Sequence, residues 1–270
     1  PEAGPFFQPR DERMYYEVIR VVSGVPLFLE DHLERLKRSV TGAFSLPATL
    51  EAESRDLIRA NDLTEVNLRL VLTEKTHVLH LTPSYYPDVR TIEQGVVTGV
   101  LVWERQDPNT KIIHPDYKTA VAARFAVPGP LGPCAELLLA DRQGRLTEGS
   151  RSNFFLINGN TVISAPDDRI LLGITRRYVQ TAIHTAGLRL TYDLLTLDDI
   201  RRRKISTAFL SGSPIDLLPI RAVEDIRLSS SDDPAFRRLY AAYMQIVKDY
   251  VSRHQPVQQR LSRQPFTGGM

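Results

Sequence analysis

The chain has 270 residues, 42% hydrophobic and 24% charged, the balance of a folded protein with room for one large domain or two modest ones. Its 34 basic and 32 acidic residues leave a formal charge of +2, which excludes a strong electrostatic case for a nucleic-acid partner. The longest apolar runs, such as Val96–Trp103 and Leu137–Ala140, fall well short of the roughly 20 residues that span a bilayer, and a single cysteine, Cys134, excludes an internal disulfide or a multi-cysteine metal site.

In chain order, "MYYEVIRVVSGVPLFLEDHLERLKRSV" reads as a strand, a Ser-Gly turn, a short second strand and a helix. Leu33, Leu36 and Val40 recur at helical spacing and are its expected apolar face, while His32 and Arg35, three apart, share one side. "LTEVNLRLVLTEKTHVLHLTP" supplies two more strands, with Asn67 and Arg69 on the same face by the period of two. Pro87 and Gly95 break the pattern. The domain boundary is expected near residue 90, giving a small N-terminal α/β domain over 1–90 and a larger C-terminal domain over 91–270.

Beyond that point "GVVTGVLVWER" is a strand candidate and "HPDYKTAVAARFAV" leads from an extended entry into an Ala-rich helix. "AELLLADRQGRLTEGSRSNFFLINGNTVISA" reads as a meander of three apolar runs separated by "DRQG" and "NGN" turns. "LLGIT" is expected to end a strand at Gly173 and open a helix at Ile174, with Val179, Ile183 and Leu188 toward a core and Gly187 at its end. "STAFLSGSPIDLLPI" is another strand opening into a small-residue loop. The run "RRRK" at 201–204 reads as a solvated loop, "DPAFRRLYAAYMQIVKDYVSRH" as a closing amphipathic helix, and the tail after it as frayed.

Two of these loops share a purpose. The start of the helix after Gly173 offers unpaired backbone N–H groups and the Thr175 hydroxyl, and "LSGS" at 210–213 adds backbone donors with Ser211 and Ser213; together they suit an anion. The spacing after Gly173 lacks the lysine of a nucleotide-triphosphate loop, which points to a cofactor phosphate. Only six lysines occur in the chain. Lys118, between Tyr117 and an apolar stretch, is the candidate nucleophile, because partial desolvation would free its amine to form a Schiff base with an aldehyde. Were the aldehyde part of a phosphorylated pyridine, a carboxylate would also be needed to keep the ring nitrogen protonated, and Glu148 in "LTEGSRSNFF" is a candidate.

Lys118, "LTEGSRSNFF" with its glutamate thirty positions on, "LLGITR" and "SGSPIDLLPI", in that order, resemble the motif series of the fold-type IV pyridoxal phosphate enzymes, the class IV aminotransferases. That family includes branched-chain and D-amino acid aminotransferases and aminodeoxychorismate lyase. The resemblance extends upstream to "YYEVIRVVSGVPLFLEDHLERL" and covers about residues 14 to 250. It implies a two-domain α+β fold with pyridoxal 5'-phosphate held between the domains, Lys118 as the Schiff-base lysine, and Glu148 as partner of the pyridine nitrogen. It also implies phosphate ligation by Arg35, Ile174, Thr175 and Ser213. Tyr16 falls where the family has an aromatic hydroxyl near the substrate carboxylate, although a packed strand residue is an equal reading. Arg69 is a candidate for the same carboxylate or a solvent-facing strand residue; His32 is expected to be a structural neighbour of Arg35, and Asn153 to brace the turn after Glu148.

Departures bear on the substrate. "ERMYYE" replaces the Gly-Asp-Gly run common before the first strand, no Arg-x-His clamp stands in "LTEKTHVLHLTP", and Arg151, where some members have serine, brings a charge that would draw an acidic substrate. The expected function is exchange of an amino group between an amino acid and a 2-oxo acid by a homodimeric, cytoplasmic enzyme. The alternatives are a pyruvate-eliminating lyase of the aminodeoxychorismate type and a protein that binds a phosphorylated ligand without turnover.

Overall fold

The computed structural model describes residues 13–105 and 115–255; the expected frayed tail lies outside them. The first half of the chain builds a small antiparallel sheet. Strand β1 (Tyr15–Val22) turns at Ser23-Gly24 into the short β2 (Val25–Pro26), helices α1 (Leu29–Val40) and α2 (Leu50–Ala60) follow, and β3 (Glu65–Leu72) and β4 (His77–Pro83) complete the order β2-β1-β3-β4. Alternation sets the faces. Tyr15, Ile19 and Val21 join Leu68, Leu70 and Leu72 in one buried cluster with Leu29, Leu36 and Val40 of α1, while Tyr16, Val18 and Arg20 point the other way. The buried stripe of α1 also includes His32 and Arg35, and Leu33, expected on the apolar face, is only half-buried.

The segment between the sheets is not all irregular: Asp88 accepts from the Thr91 backbone N–H and caps a short helix, α3 (Val89–Gln94), that ends at Gly95. From there β5 (Val96–Val102), α4 (Pro115–Phe125) and β6 (Glu136–Ala140) follow. Strands β5 and β6 run parallel, which requires a crossover, and that crossover carries Lys118. Four further strands come in quick succession or nearly so: β7 (Leu146–Gly149), β8 (Asn153–Asn158), β9 (Thr161–Ser164) and, after helix α5 (Ile174–Thr185), β10 (Arg189–Tyr192). The expected meander is therefore split. β7 pairs back on β6, whereas β8 pairs with β9 and with β11 (Thr207–Gly212), which follows α6 (Leu197–Arg202). With β12 (Asp216–Val223) and its partner β13 (Ile226–Arg227), the large sheet has the order β10-β9-β8-β11-β12-β5-β6-β7.

Helix α7 (Pro234–His254) closes the fold. Asp233 caps it by accepting from Ala235 and Phe236 N–H at 2.8 and 3.0 Å, and Phe236, Leu239, Tyr243, Val247 and Tyr250 form its buried stripe. The basic run at 201–204 is the end of α6 and the turn after it, where Arg201, Arg202 and Arg203 each pair with an aspartate.

The two sheets are joined by side chains of opposite kinds. Phe28, in the left-handed region at φ 55° just before α1, stacks on Tyr178 with ring centroids 3.6 Å apart and meets Tyr250 edge-on. Around it, the Tyr178 and Tyr250 hydroxyls donate to Asp31 and Glu30 at 2.6 Å. Deeper in, Arg20 of β1 pairs with the buried Asp216, which also accepts from the Tyr243 hydroxyl at 2.9 Å. Arg20 and Asp216 are both shielded from water, where an unmatched partner costs several kcal/mol, so this pair, with the rings around Phe28, holds the two sheets in one relative placement.

Candidate active site

A buried carboxylate organises the small-sheet side. Glu17 sits in the apolar stripe of β1 and is fully buried, so its charge demands partners. Arg35 donates from Nε to one oxygen at 2.8 Å and from Nη2 to the other, and His32 Nδ1 lies 2.8 Å from the second oxygen. The remaining donor edge of Arg35 faces the large sheet, where Nη1 donates to the Leu172 carbonyl oxygen at 3.2 Å. His32 Nε2, in turn, lies 3.4 Å from Ser213 Oγ. His32 thus stands beside Arg35, as expected, and adds a link to the loop after β11.

A second carboxylate organises the other side. Glu148, on β7, is 2% exposed; one oxygen accepts from the Leu171 backbone N–H at 3.0 Å and the other lies 2.8 Å from Arg105 Nε. That charge contact is too poorly aligned to be a hydrogen bond for either atom. Burial pushes the Glu148 carboxyl up to about 7, against the opposing pull of Arg105. The turn after it is held by Glu136, which accepts from the Ser150 and Ser152 hydroxyls. Asn153 does not brace that turn; its Nδ2 donates to the Leu171 carbonyl at 2.8 Å, and its Oδ1 sits where a side chain on Gly173 would have to go. Both backbone groups of Leu171 are therefore gripped by the glutamate motif, and residues 170–173 run as a loop rather than as the expected strand. Helix α5 still begins at Ile174, with Gly173 at its N-cap and no side chain capping it. Arg176, the next charged residue, points away into a buried pairing with Asp167 and Ser164.

Between these two constructions lies a cavity of about 430 Å³, within the range of small-molecule sites. The small sheet contributes Tyr16 and Arg69, and helix α1 beside it Arg35; the large-sheet side contributes Glu148 and Arg151 with Ile174, Thr175 and Ser213 from the two small-residue loops; Lys118 stands at its edge on α4. All the residues expected to hold cofactor or substrate thus line one space. Their environments differ from expectation in two places. Lys118 is exposed and no residue of α4 is buried, so the expected partial desolvation is not what this arrangement provides. Arg151 lies at the rim, its guanidinium over the Phe125 ring at 5.3 Å and donating to the Ala135 carbonyl. Tyr16 is raised in pKa, chiefly by burial, against the pull of Arg105 and Arg69, and Arg69 lies over its ring at 5.6 Å.

Arg105 and Tyr117 also line the cavity, although the sequence did not single them out as site residues; Ser211, expected with the loop at 210–213, has its Oγ buried without a hydrogen-bond partner among the described residues. Tyr117 donates to the Ser150 carbonyl at 2.7 Å and meets the Trp103 ring at a tilt of 52°. Arg105 carries no periodic signature, because it lies beyond the end of β5 at Val102.

A family model described as Amino-transferase class IV matches residues 14–223. Among curated relatives, a protein of Aquifex aeolicus named as a probable branched-chain-amino-acid aminotransferase is 25% identical over 257 residues, covering 84% of this chain and 79% of its own. The aminodeoxychorismate lyase of Bacillus subtilis is 23% identical over 266 residues, covering 87% and 86%. The solved branched-chain amino acid aminotransferase of Escherichia coli has the same fold, with a TM-score of 0.72 and 21% identity over 87% of this chain and 85% of that one.

Proposed function

Since the chain belongs to the class IV aminotransferase family, whose cofactor is pyridoxal 5'-phosphate, we propose that it exchanges an amino group between an amino acid and a 2-oxo acid in the cavity between its two sheets. The observation that carries this reading is the convergence on one cavity of an unpartnered hydroxyl, an uncapped helix start and a buried carboxylate. These suit the cofactor's parts. The N–H groups opening α5 at Ile174 and Thr175, with the Ser211 and Ser213 hydroxyls and the Arg35 guanidinium, fit a phosphate dianion. Across the cavity, the unsatisfied Glu148 oxygen fits a protonated ring nitrogen.

When bound, the cofactor supplies an aldehyde for the substrate amine and a ring that withdraws electrons from it. The chain's residues do the rest. Lys118 would hold the cofactor through its amine, and a free Nζ would carry the proton to and from the substrate Cα. Its exposed place at the cavity edge supports this role, since a flexible amine must reach two positions. Glu148, as a carboxylate, would accept a hydrogen bond from the protonated ring nitrogen and so keep the proton there. Tyr16 and Arg69, adjacent on one face of the small sheet, orient a substrate carboxylate, and Arg151 at the rim favours acidic substrates over neutral ones. We further propose a boundary between domains near residue 90, where the small sheet has ended at Pro83 and the large one begins at Val96, and a homodimeric assembly, which sedimentation of an active monomer would refute.

The second reading is pyruvate elimination, favoured by the similarity to a lyase over most of both chains. A single experiment separates the two. Mixed with one amino donor and no acceptor, an aminotransferase converts its cofactor stoichiometrically to the amine form; a lyase releases pyruvate from aminodeoxychorismate through many turnovers and accumulates none of it.

A further inference from the structure

We propose that Arg105 is a positioning residue that keeps Glu148 ionised at the cofactor ring, so that the proton they share stays on the ring nitrogen; this rests on the placement of Glu148 at that nitrogen.

The geometry makes Arg105 a fixed charge rather than a passing one. Its side chain is 17% exposed, with Nε 2.8 Å from Glu148 Oε1. Nη2 reaches the Ser150 carbonyl at 3.5 Å, and the guanidinium lies 5.2 Å from the centre of the Tyr117 ring, whose hydroxyl donates to the same carbonyl. One turn of chain thus holds the arginine, the tyrosine and the glutamate together. The other Glu148 oxygen is committed to the Leu171 N–H, which leaves Oε1 as the atom that meets both Arg105 and the cavity.

The other ionisable groups packed around Glu148 have their charges answered elsewhere or carry none. Arg176 of α5 is paired with Asp167, and Glu136 of β6 takes the Ser150 and Ser152 hydroxyls. Burial raises both Tyr16 and Tyr117, so they stay neutral. Lys118 is exposed at the cavity edge. Arg105 is therefore the cation that bears on the carboxylate. A buried carboxyl without such a neighbour holds its proton, and in a carboxyl–pyridine pair one proton serves both sites. Deleting the cation transfers that proton from the ring nitrogen to Glu148 Oε1; no other bond changes.

The test uses the intact protein loaded with pyridoxal 5'-phosphate labelled with 15N in the ring, and the cofactor-free protein labelled with 13C at glutamate carboxyls, Glu148 being assigned by its loss in Glu148→Gln. In the loaded wild type the nitrogen shift is that of a protonated ring near neutral pH. Arg105→Met moves it toward the unprotonated value and, without cofactor, raises the Glu148 midpoint by about one to three pH units; Arg105→Lys restores both. Arg105→Gln, polar but uncharged, is measured in parallel in case the methionine variant does not fold, and follows it. A Glu148 midpoint unmoved by loss of the charge, or a lysine variant that behaves like the methionine one, overturns the proposal. A ring nitrogen that stays protonated in Glu148→Gln instead overturns the placement of Glu148 on which it rests.

Discussion

Arg35 and Leu172 meet across the gap between the two sheets: Nη1 of the arginine donates to the leucine carbonyl oxygen at 3.2 Å. The contact sets a side chain of α1 against the loop that opens α5, the loop proposed above to receive the cofactor phosphate. Arg35→Ala removes the charge from that corner and leaves Glu17 with His32 as its remaining partner of the pair. A hydrogen bond to a charged group contributes about 1.5–3 kcal/mol, so pyridoxal 5'-phosphate should bind roughly 10- to 100-fold more weakly in an absorbance titration, and the empty protein should melt lower as well. Affinity within twofold of wild type would place the phosphate elsewhere.

Lys118→Ala should abolish the covalent attachment. The wild-type protein is expected to be yellow and, after borohydride reduction and digestion, to bear the cofactor on the peptide containing Lys118. In the variant the label is absent and turnover falls by about 10²- to 10⁴-fold, the usual weight of a positioned proton carrier. A label found on another lysine would reassign the nucleophile.

Glu148→Gln should be visible without any cofactor. The folded protein holds the proton of this carboxyl up to about pH 7, whereas its ordinary value is 4.5. Between those values the folded state carries the extra proton, so its stability falls as pH rises through the window. The loss amounts to roughly 3 kcal/mol. Urea melts of the empty protein at pH 4.5 and 7.5 should therefore show a decline in wild type that is smaller by about that amount in Glu148→Gln. Identical slopes in the two proteins would mean that the carboxyl titrates normally. Loaded with cofactor, the same variant should lose about two orders of magnitude in turnover.

Gly95 joins the two sheets at φ 71°, and a Cβ there would lie 2.9 Å from the Pro219 carbonyl oxygen and 3.1 Å from the Arg221 nitrogen. Both obstacles are backbone atoms of a central strand, which cannot step aside. Gly95→Ala combines a strained dihedral with that clash and should cost about 1–3 kcal/mol, read as a drop of several degrees in Tm. An unchanged Tm would show that the junction can relax.

What the sequence made legible follows from how local each determinant is. Glu148 and Thr175 announce themselves because a carboxylate beside a Gly-Ser turn and a hydroxyl behind a glycine at a helix start are short-range patterns. The path of residues 170–173 was misread because "RILL" looks like a strand, while the loop is held by side chains, Glu148 on one backbone group of Leu171 and Asn153 on the other. Glu17 carried a usable signal that went unread. It occupies an apolar phase of "YYEVIRVV", and Arg35 and His32 occupy the buried phase of α1; an acid in one stripe and two bases in the facing one imply a buried pairing. No such signal exists for Arg105, whose place beside Glu148 arises only when separate segments are brought together, whereas Ser211 is legible in the small-residue run "LSGS".

The hold of Glu17 on Arg35 has a kinetic side. A free arginine side chain has about 2 kcal/mol of rotamer entropy to lose, and here most of that freedom is surrendered when the chain folds, because Nε and Nη2 are already fixed by one carboxylate. At the proposed phosphate site, an arriving dianion would meet a guanidinium that need not search for it. Loading of the empty protein should therefore proceed as a simple encounter, with a rate proportional to cofactor concentration, and loosening that hold should slow capture even where the final complex is unchanged.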